Sequence, residues 1–305
     1  MHPYQSVTEL RNLVAFALNQ NSTHNCWHLD KLRVTLRMKP LSKQSYSTVV
    51  QLTDSHLFAQ LDGSLMGVKT QKSLEHVINL VQVEQKQIDL LLCTGDISQD
   101  GSLISYQRFA DMAGTLKAPM RWLAGNHDER LALQQVCAQT DRLQPVYDLD
   151  AWRIIVLDSS VPHQVYGSLA QDQLDILEQA LCTATERHVL IALHHHPLAI
   201  NSQWMDKIGL HNPEQLLSII NRYNSIKAVV WGHVHQEVDQ DKDGVRWLAT
   251  PSTCIQFTER SDDFAVSDQA PGYRWLRLYD DGSIETGVSR AEDFALKIDR
   301  DGAGY

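Results

Sequence analysis

From Thr48 onward the chain alternates between two hydrophobic rhythms. Short runs that are apolar throughout, or alternate with period two, predict strands; apolar residues three and four apart predict helices. "TVVQLTD" predicts the first strand. Between Gly67 and Lys86, Leu74, Val77, Ile78 and Val81 fall on one helical stripe. "IDLLLCTGD" is apolar until its end, the texture of a strand buried on both faces. Tyr106, Phe109, Ala113 and Leu116 mark the next helix, and "PMRWLAGNHD" and "WRIIVLDSS" predict the third and fourth strands. Ser168 is placed to cap a helix carrying Leu174, Leu177 and Leu181. "HVLIALHHHP" predicts a fifth strand, Pro213 to Tyr223 a helix, and "IKAVVWGHVH" a sixth strand. Beyond His235 the texture changes. "QEVDQDKDGVRWLATP" predicts a hairpin turning at Asp243-Gly244, and "YRWLRLYDDGSIETGVSR" another turning at Asp281-Gly282.

Strands alternating with helices imply an α/β chain with a largely parallel central sheet, to which the second half adds antiparallel strands. The regular pattern predicts one domain over residues 46–290, with 291–305 as a tail. Residues 1–45 differ: "LNQNSTHNCWH" is polar, rich in Asn and His, and without sustained period. They read as a poorly ordered extension, as sequence upstream of a true start at Met38, or as a docked arm that binds a partner. A chain of 305 residues, 43% hydrophobic, is long enough for a sizeable core.

The formal charge of −10 disfavours a nucleic-acid polymer or an acidic membrane as partner, because both are bound through basic patches. Metal ions can invert that sign locally, so a phosphate substrate stays open. The longest apolar stretch near the start, Leu13 to Leu18, is far below the roughly 18 residues that span a bilayer and lacks a basic flank. Cys26, Cys93, Cys137, Cys182 and Cys254 are scattered without paired spacing, which predicts a reducing, cytoplasmic setting. Nothing in the pattern fixes an oligomeric state.

The informative residues stand at the carboxyl ends of the predicted strands, where open α/β sheets bind ligands. The first strand delivers Asp54-Ser55-His56, the second Gly95-Asp96 and the third Gly125-Asn126-His127-Asp128. The fifth delivers His194-His195-His196 and the sixth Gly232-His233-Val234-His235. Carboxylate, carboxamide and imidazole without thiolate suit two divalent ions such as iron, manganese or zinc. Asp96 is the one candidate in its segment. A carboxylate ending a buried strand is costly unless positive charge meets it, and a single carboxylate can bridge two cations. Two such ions can clamp the attacking and leaving oxygens of a phosphoryl transfer. Each motif alone is weak; their order and their shared placement carry the reading.

As a set these motifs resemble the calcineurin-like metallophosphoesterase superfamily over roughly residues 48–290. With "ATPSTCIQF" and "APGYRWLRLY" added, they resemble the bacterial class III cyclic nucleotide phosphodiesterases. The resemblance implies a four-layer α/β/β/α sandwich with central mixed sheets and helices outside. It implies two divalent ions, iron or manganese before zinc, one held by Asp54, His56, Asp96 and His235 and the other by Asp96, Asn126, His233 and one of the consecutive histidines. His194 follows the apolar run Val189 to Leu193 as the family's ligand does. Period two would turn His195 to the opposite side, so a one-residue slip would exchange the pair.

The activity implied is hydrolysis of 3',5'-cyclic AMP to 5'-AMP, with His127 protonating the leaving oxygen or binding phosphate, and Asp128 fixing the His127 ring. His56, Asn126, His127, His195, His235, Thr253 and Phe257 would meet substrate, Phe257 by stacking on the purine. Thr250, Ser252, Cys254 and Gln256 offer further polar groups near the rim. Trp231 reads as core; His2, His24, His28, His76, His163, His188 and His211 read as ordinary. Other phosphoesterases on the same fold (a glycerophosphodiesterase, a nucleotide or lipid pyrophosphatase, a protein phosphatase) are the alternative. A non-catalytic scaffold is disfavoured by the retained histidines.

Overall fold

The computed structural model describes residues 45–300. The polar extension expected over residues 1–45 falls almost wholly outside them, as do the last residues of the expected tail.

Eleven strands build two large sheets. They are β1 (Tyr46–Leu52), β2 (Leu90–Thr94), β3 (Met120–Leu123), β4 (Val146–Leu149), β5 (Trp152–Val156), β6 (His188–Ala192), β7 (Ile226–Trp231), β8 (Val238–Lys242), β9 (Val245–Ala249), β10 (Gly272–Tyr279) and β11 (Ile284–Arg290). One sheet runs in the order β11-β10-β1-β2-β3 and the other β8-β9-β7-β6-β5-β4. In the first, β1, β2 and β3 are parallel while β10 joins β1 antiparallel. In the second, β5, β6, β7 and β9 are parallel and the edges β4 and β8 antiparallel. The single, largely parallel sheet expected from strand alternation is therefore two mixed sheets. The late hairpins did not extend one sheet; each closed an edge of a different one.

The sheets stack face to face. Val49, Leu90, Leu92, Leu123 and Leu276 from the first meet Trp152, Ile154, Leu190, Val230 and Leu248 from the second in one apolar layer. The alternate residues face outward, as period two requires. Val50, Leu91, Cys93 and Trp122 pack under α1 (Thr70–Glu84), α2 (Leu103–Gly114) and α3 (Arg130–Cys137). Ile155, Val189, Ile191 and Val229 pack under α4 (Gln171–Cys182) and, beyond the short α5 (Gln203–Asp206), α6 (Pro213–Ile220). The result is a four-layer α/β/β/α sandwich with mixed central sheets.

Three polar side chains tie one sheet to the other through this apolar layer. Gln51 Nε2 donates to Thr94 Oγ1 (2.8 Å) and to Trp231 O (3.1 Å), and its Oε1 accepts from Thr250 Oγ1 (2.6 Å). Arg274, fully buried, donates to Val238 O and Ala249 O. Trp152 Nε1 donates to Tyr279 O at 2.8 Å. Buried polar groups persist when hydrogen-bonded, and these bonds fix how the sheets register.

Asp243 and Gly244 form a two-residue loop between β8 and β9, both at positive φ (57° and 77°), the conformation a type I′ hairpin requires. The second hairpin turns over Asp280–Ser283, with Gly282 at φ 86°. Ser168 does not cap α4: Ala170 is the N-cap residue, and Ser168 Oγ donates to Asn212 Oδ1. The segment after Arg290 returns to the body. Ala291 is buried, and Phe294, Leu296 and Ile298 pack against the core.

Candidate metal centre

The carboxyl ends of β1, β2, β3, β6 and β7 meet at one rim, the first three from one sheet and the last two from the other. Beyond their last paired residues the loops stay zipped by backbone bonds: Asp54 N to Gly95 O (3.0 Å), His56 N to Asp96 O (2.9 Å) and Gly232 N to His194 O (3.2 Å). Asp54, His56, Asp96, His233 and His235 all have positive φ, between 46° and 66°. Left-handed backbone at non-glycine residues is uncommon, and its clustering here is the strain expected where side chains are forced toward one point. Two glycines are needed for close approach. A methyl on Gly125 would lie 2.1 Å from Asp96 Oδ1, and one on Gly232 2.1 Å from Thr53 Oγ1 and 2.7 Å from Asp54 Oδ2.

The structure brings the strand-end residues together. Donor atoms of Asp54, His56 and His235 converge within 4.8 Å of one another, as do those of Asp54, Asp96 and His194, of His56, Asp96 and His127, and of His194, His195 and His233. Asp54, His56, Asp96, His194 and His235 are fully buried and His233 nearly so. His194 Nε2 lies 3.4 Å from Asp96 Oδ2 and 3.2 Å from Asn126 Oδ1, which adds the carboxamide to the group.

Hydrogen bonds fix the tautomers. His56 Nδ1 faces Gln99 Oε1 at 2.6 Å, His235 Nδ1 faces Ile255 O at 2.9 Å, and His194 Nδ1 faces Thr94 O at 2.8 Å. An oxygen acceptor at Nδ1 demands a proton there, so the Nε2 lone pair turns inward. His233 is reversed: Nε2 donates to Ile208 O (3.1 Å) and Nδ1 is left as the inward atom. Consequently His56 Nε2 and His235 Nε2, the ring nitrogens opposite the Gln99 and Ile255 oxygen acceptors, sit 3.2 Å apart. Asp96 Oδ2, His233 Nδ1 and His195 Nε2 are buried without a hydrogen-bond partner among the described residues. Buried acceptors aimed at one another with no proton between them are the signature of a cation site. The donor set fits two divalent ions around Asp96.

The electrostatics agree. Burial pulls His56 down to about 3, with His127 and His235 adding to the effect against the opposing pull of Asp96. Burial, then neighbouring imidazoles, likewise holds His195 and His233 well below the usual range. These rings are neutral, as ligands must be. His194 is the exception: burial lowers it, but the Asp96 carboxylate and then Asp54 outweigh burial and lift it to about 9. Burial also raises Asp54 and Asp96, yet the surrounding imidazoles leave both below the ordinary carboxylate value. Two buried anions facing one proton-bearing ring leave a deficit of positive charge that metal ions would fill.

Both His194 and His195 are buried at the rim, because β6 ends at Ala192 and period two no longer governs their directions. His194 turns to Asp96, while His195 Nδ1 pairs with Ser159 Oγ (2.9 Å) and its ring packs on His233 at 4.7 Å. His196 is buried beside them, its Nε2 3.7 Å from Asp206 Oδ1. Asp128 is engaged by the backbone of two loops. Its Oδ2 accepts from Gly125 N (2.8 Å) and Ile97 N (3.3 Å) and its Oδ1 from Ser98 N (3.0 Å), which ties the β2 loop to the β3 loop. Burial, then the Asp96 charge, pushes Asp128 up to about 6.

Thr253 and Phe257 are buried at the rim, as are His56, His195 and His235. Phe257 stacks on the His235 ring at 4.2 Å. The "ATPSTCIQF" segment braces the site: Ser252 Oγ donates to Asp54 O (2.7 Å), Thr253 N to Thr53 O (3.1 Å), and Gln256 closes on the Ser252 backbone. Residues that the strand-end reading missed are those that orient the rings: Gln99, Ser159, Ile208 and Ile255. Gln99 lies three residues past Asp96 and was open to notice; the others act through backbone or lie on loops without a local signal.

His127 is half-buried, its ring 5.0 Å from that of His56, and its backbone N donates to Asp96 Oδ1 at 2.9 Å. It faces a cavity of about 510 Å³ lined also by Gln99, Asn126, Arg130, Ser160 and His163. A hollow of about 630 Å³ at the opposite ends of the strands, by Tyr46, Glu84 and Arg277, coincides with none of the donor groups found among the described residues. No helix among the described residues is long and apolar enough to cross a membrane.

The calcineurin-like phosphoesterase profile matches residues 47–237. The chain is 51% identical over 257 residues to the 3',5'-cyclic adenosine monophosphate phosphodiesterase CpdA of Pseudomonas aeruginosa, covering 84% of this chain and 94% of that one. It is 39% identical over 268 residues to the protein of the same name from Escherichia coli K12, covering 87% and 98%. Among solved structures, a purple acid phosphatase from yellow lupin superposes with a TM-score of 0.60 at 14% identity, over 84% of this chain and 53% of that one. A dimetal phosphatase from Danio rerio gives 0.55 at 15% identity, over 81% and 99%.

Proposed function

The chain belongs to the calcineurin-like phosphoesterase family, and on that premise we propose that it hydrolyses 3',5'-cyclic AMP to 5'-AMP. The observation that carries the reading is the rim on which buried Asp54, His56, Asp96, His194, His233 and His235 converge from both sheets with Asn126 beside them, Asp96 Oδ2 lacking a hydrogen-bond partner among the described residues. The choice of cyclic AMP rests on the relatives that span nearly their whole length here.

Asp54, His56, Asp96 and His235 would hold one divalent ion, and Asp96, Asn126, His194 and His233 the other, with Asp96 shared. Oxygen and imidazole donors without thiolate fit iron, manganese or zinc, and the family resemblance favours the first two. Bound there, the pair supplies Lewis acidity toward water and phosphate and neutralises charge on the phosphoryl oxygens. The protein's own part begins with placement. The tautomers set by Gln99, Ile255 and Ile208 keep the lone pairs of His56, His235 and His233 aimed inward before any ion arrives, while Thr94 holds the His194 ring so that Nε2 becomes a donor once its proton leaves.

His127 is not in that donor set and borders the cavity. Its role is proton donation to the ribose 3'-oxygen. As a water oxygen bonds to phosphorus and releases a proton to solvent, the P–O3' bond breaks and the departing oxygen takes the His127 proton, which solvent then restores. Asp128 acts at one remove, holding the β2 and β3 loops so that Asn126 and His127 keep their places. The scattered, free cysteines among the described residues suit the reducing cytoplasm.

Elemental analysis of purified protein, paired with cyclic AMP hydrolysis before and after chelation, tests the reading. Two metals per chain and chelator-sensitive release of 5'-AMP are expected. A marked preference for glycerophosphodiesters or bis-p-nitrophenyl phosphate over cyclic AMP would overturn the substrate.

A further inference from the structure

Gln99 does two things that a single carboxamide can do together. Its Oε1 accepts the Nδ1 proton of His56 at 2.6 Å. That direction is forced. If the amide group faced His56 instead, the proton would move to Nε2, and the atom 3.2 Å from His235 Nε2 would carry no lone pair. With Oε1 committed, the two N–H donors of Nε2 point away from the ring, and no described residue accepts from them. Gln99 is half-buried, and it lines the same cavity of about 510 Å³ as Asn126 and His127. Its backbone is pinned by Gln99 N to Leu57 O at 2.8 Å, and the adjoining Asp100 carboxylate is taken up by Ala59 N at 2.7 Å. The side chain is therefore held on a fixed stem with one end buried against His56 and the other open to the cavity.

We propose that Gln99 is a specificity-determining residue: its Nε2 amide donates a hydrogen bond to the sugar of the substrate, at the hydroxyl next to the leaving oxygen. The His56 ring separates Gln99 from the metal-facing atoms, so its amide lies too far out to meet the phosphoryl oxygens. It stands on the His127 side of the site, the side from which the leaving oxygen is protonated. On a cyclic nucleotide the polar group beside O3' is the 2'-hydroxyl. A donor held in place by the group it already serves loses little entropy on binding, which favours discrimination by a single hydrogen bond.

This inference rests on the cyclic nucleotide reading above, and the test separates the two. Gln99→Glu keeps an acceptor for His56 Nδ1 and removes the N–H donors. Metal content, kcat and KM are measured for cyclic AMP, 2'-deoxy cyclic AMP and bis-p-nitrophenyl phosphate. The variant should keep two metals per chain. Its KM for cyclic AMP should rise about tenfold, the order of one lost hydrogen bond. Wild-type preference for cyclic AMP over the 2'-deoxy analogue should shrink, the loss on cyclic AMP exceeding any loss on the 2'-deoxy analogue or on bis-p-nitrophenyl phosphate. Unaltered discrimination with full metal content overturns the role in recognition. Equal losses on all three substrates, together with lost metal, leave Gln99 only as a positioner of His56 and also overturn it. Failure of the wild type to turn over cyclic AMP would be a failure of the parent reading.

Discussion

At the scale of single residues, the rim is a problem in charge and the chain solves it with geometry. Asp96 ends a buried strand with Oδ1 accepting from His127 N, while Oδ2 has no hydrogen-bond partner within normal range among the described residues and faces His194 Nε2 at 3.4 Å. Replacing it with alanine removes the group common to both proposed ion sites. Asp96→Ala is expected to lose metal and activity together, by more than the ~10–100-fold that loss of an outer partner costs. His127→Ala should separate the two: elemental analysis should find the metals retained while kcat falls by about 10²–10⁴, the usual worth of a general acid. Wild-type turnover in that variant would remove His127 from the mechanism. The residues of the rim were legible because each stands next to a strand end. Their supporting shell was not. The tautomer of His233 depends on the backbone carbonyl of Ile208, which no side-chain pattern announces. Phe257 reads equally well as a stacking surface for a base or for a histidine, and its stack on His235 is visible only in the fold.

At the scale of elements, local sequence decided most of what formed, and competition decided the rest. The Asp243-Gly244 turn was visible because its conformation requires residues that tolerate positive φ. Gly244 has open space where a side chain would go, so Gly244→Ala tests backbone strain alone. Denaturant melts should show a loss of about 1–2 kcal/mol with kcat/KM unchanged. Ser168 failed as a cap because Asn212 offers its hydroxyl a partner across the fold. The antiparallel pair β4 and β5 carries a buried guanidinium: Arg153 reaches both carboxylate oxygens of Asp148, at 2.6 and 2.8 Å. That hydrogen bonding, more than the charge, holds Asp148 below its ordinary value. A carboxyl depressed by folding contributes stability that is complete above its unfolded value, about 3.9, and lost as pH falls through the folded one. Asp148→Asn should therefore be less stable than wild type at pH 7, and the gap should narrow progressively as pH falls below about 3.9. An equal gap throughout would assign the effect to packing.

At the scale of the whole molecule, the strands were readable but their partition was not. β10 joins β1 from more than two hundred residues away, and β9 joins β7 in parallel across a hairpin, so the choice between one sheet and two is made by long-range pairing. Gln51, Arg274 and Trp152 then fix the spacing of the sheets with buried hydrogen bonds that look, in sequence, like interruptions of apolar runs. Stripping the proposed ions should lower the melting temperature, since a ligand that binds only the folded state stabilises it by mass action. Thermal melts with and without chelator, followed by re-addition of manganese, would measure this; coincident curves would mean the rim holds its shape without ions.

The two halves of each proposed ion cage come from different sheets: Asp54, His56, Asp96 and Asn126 from one, His194, His233 and His235 from the other. An ion seated there is also a rivet through the seam of the sandwich. Starvation for metal would then do more than silence the enzyme. It would loosen the seam at its active edge, expose those loops to proteases, and let the cell's supply of metal set how long each copy survives.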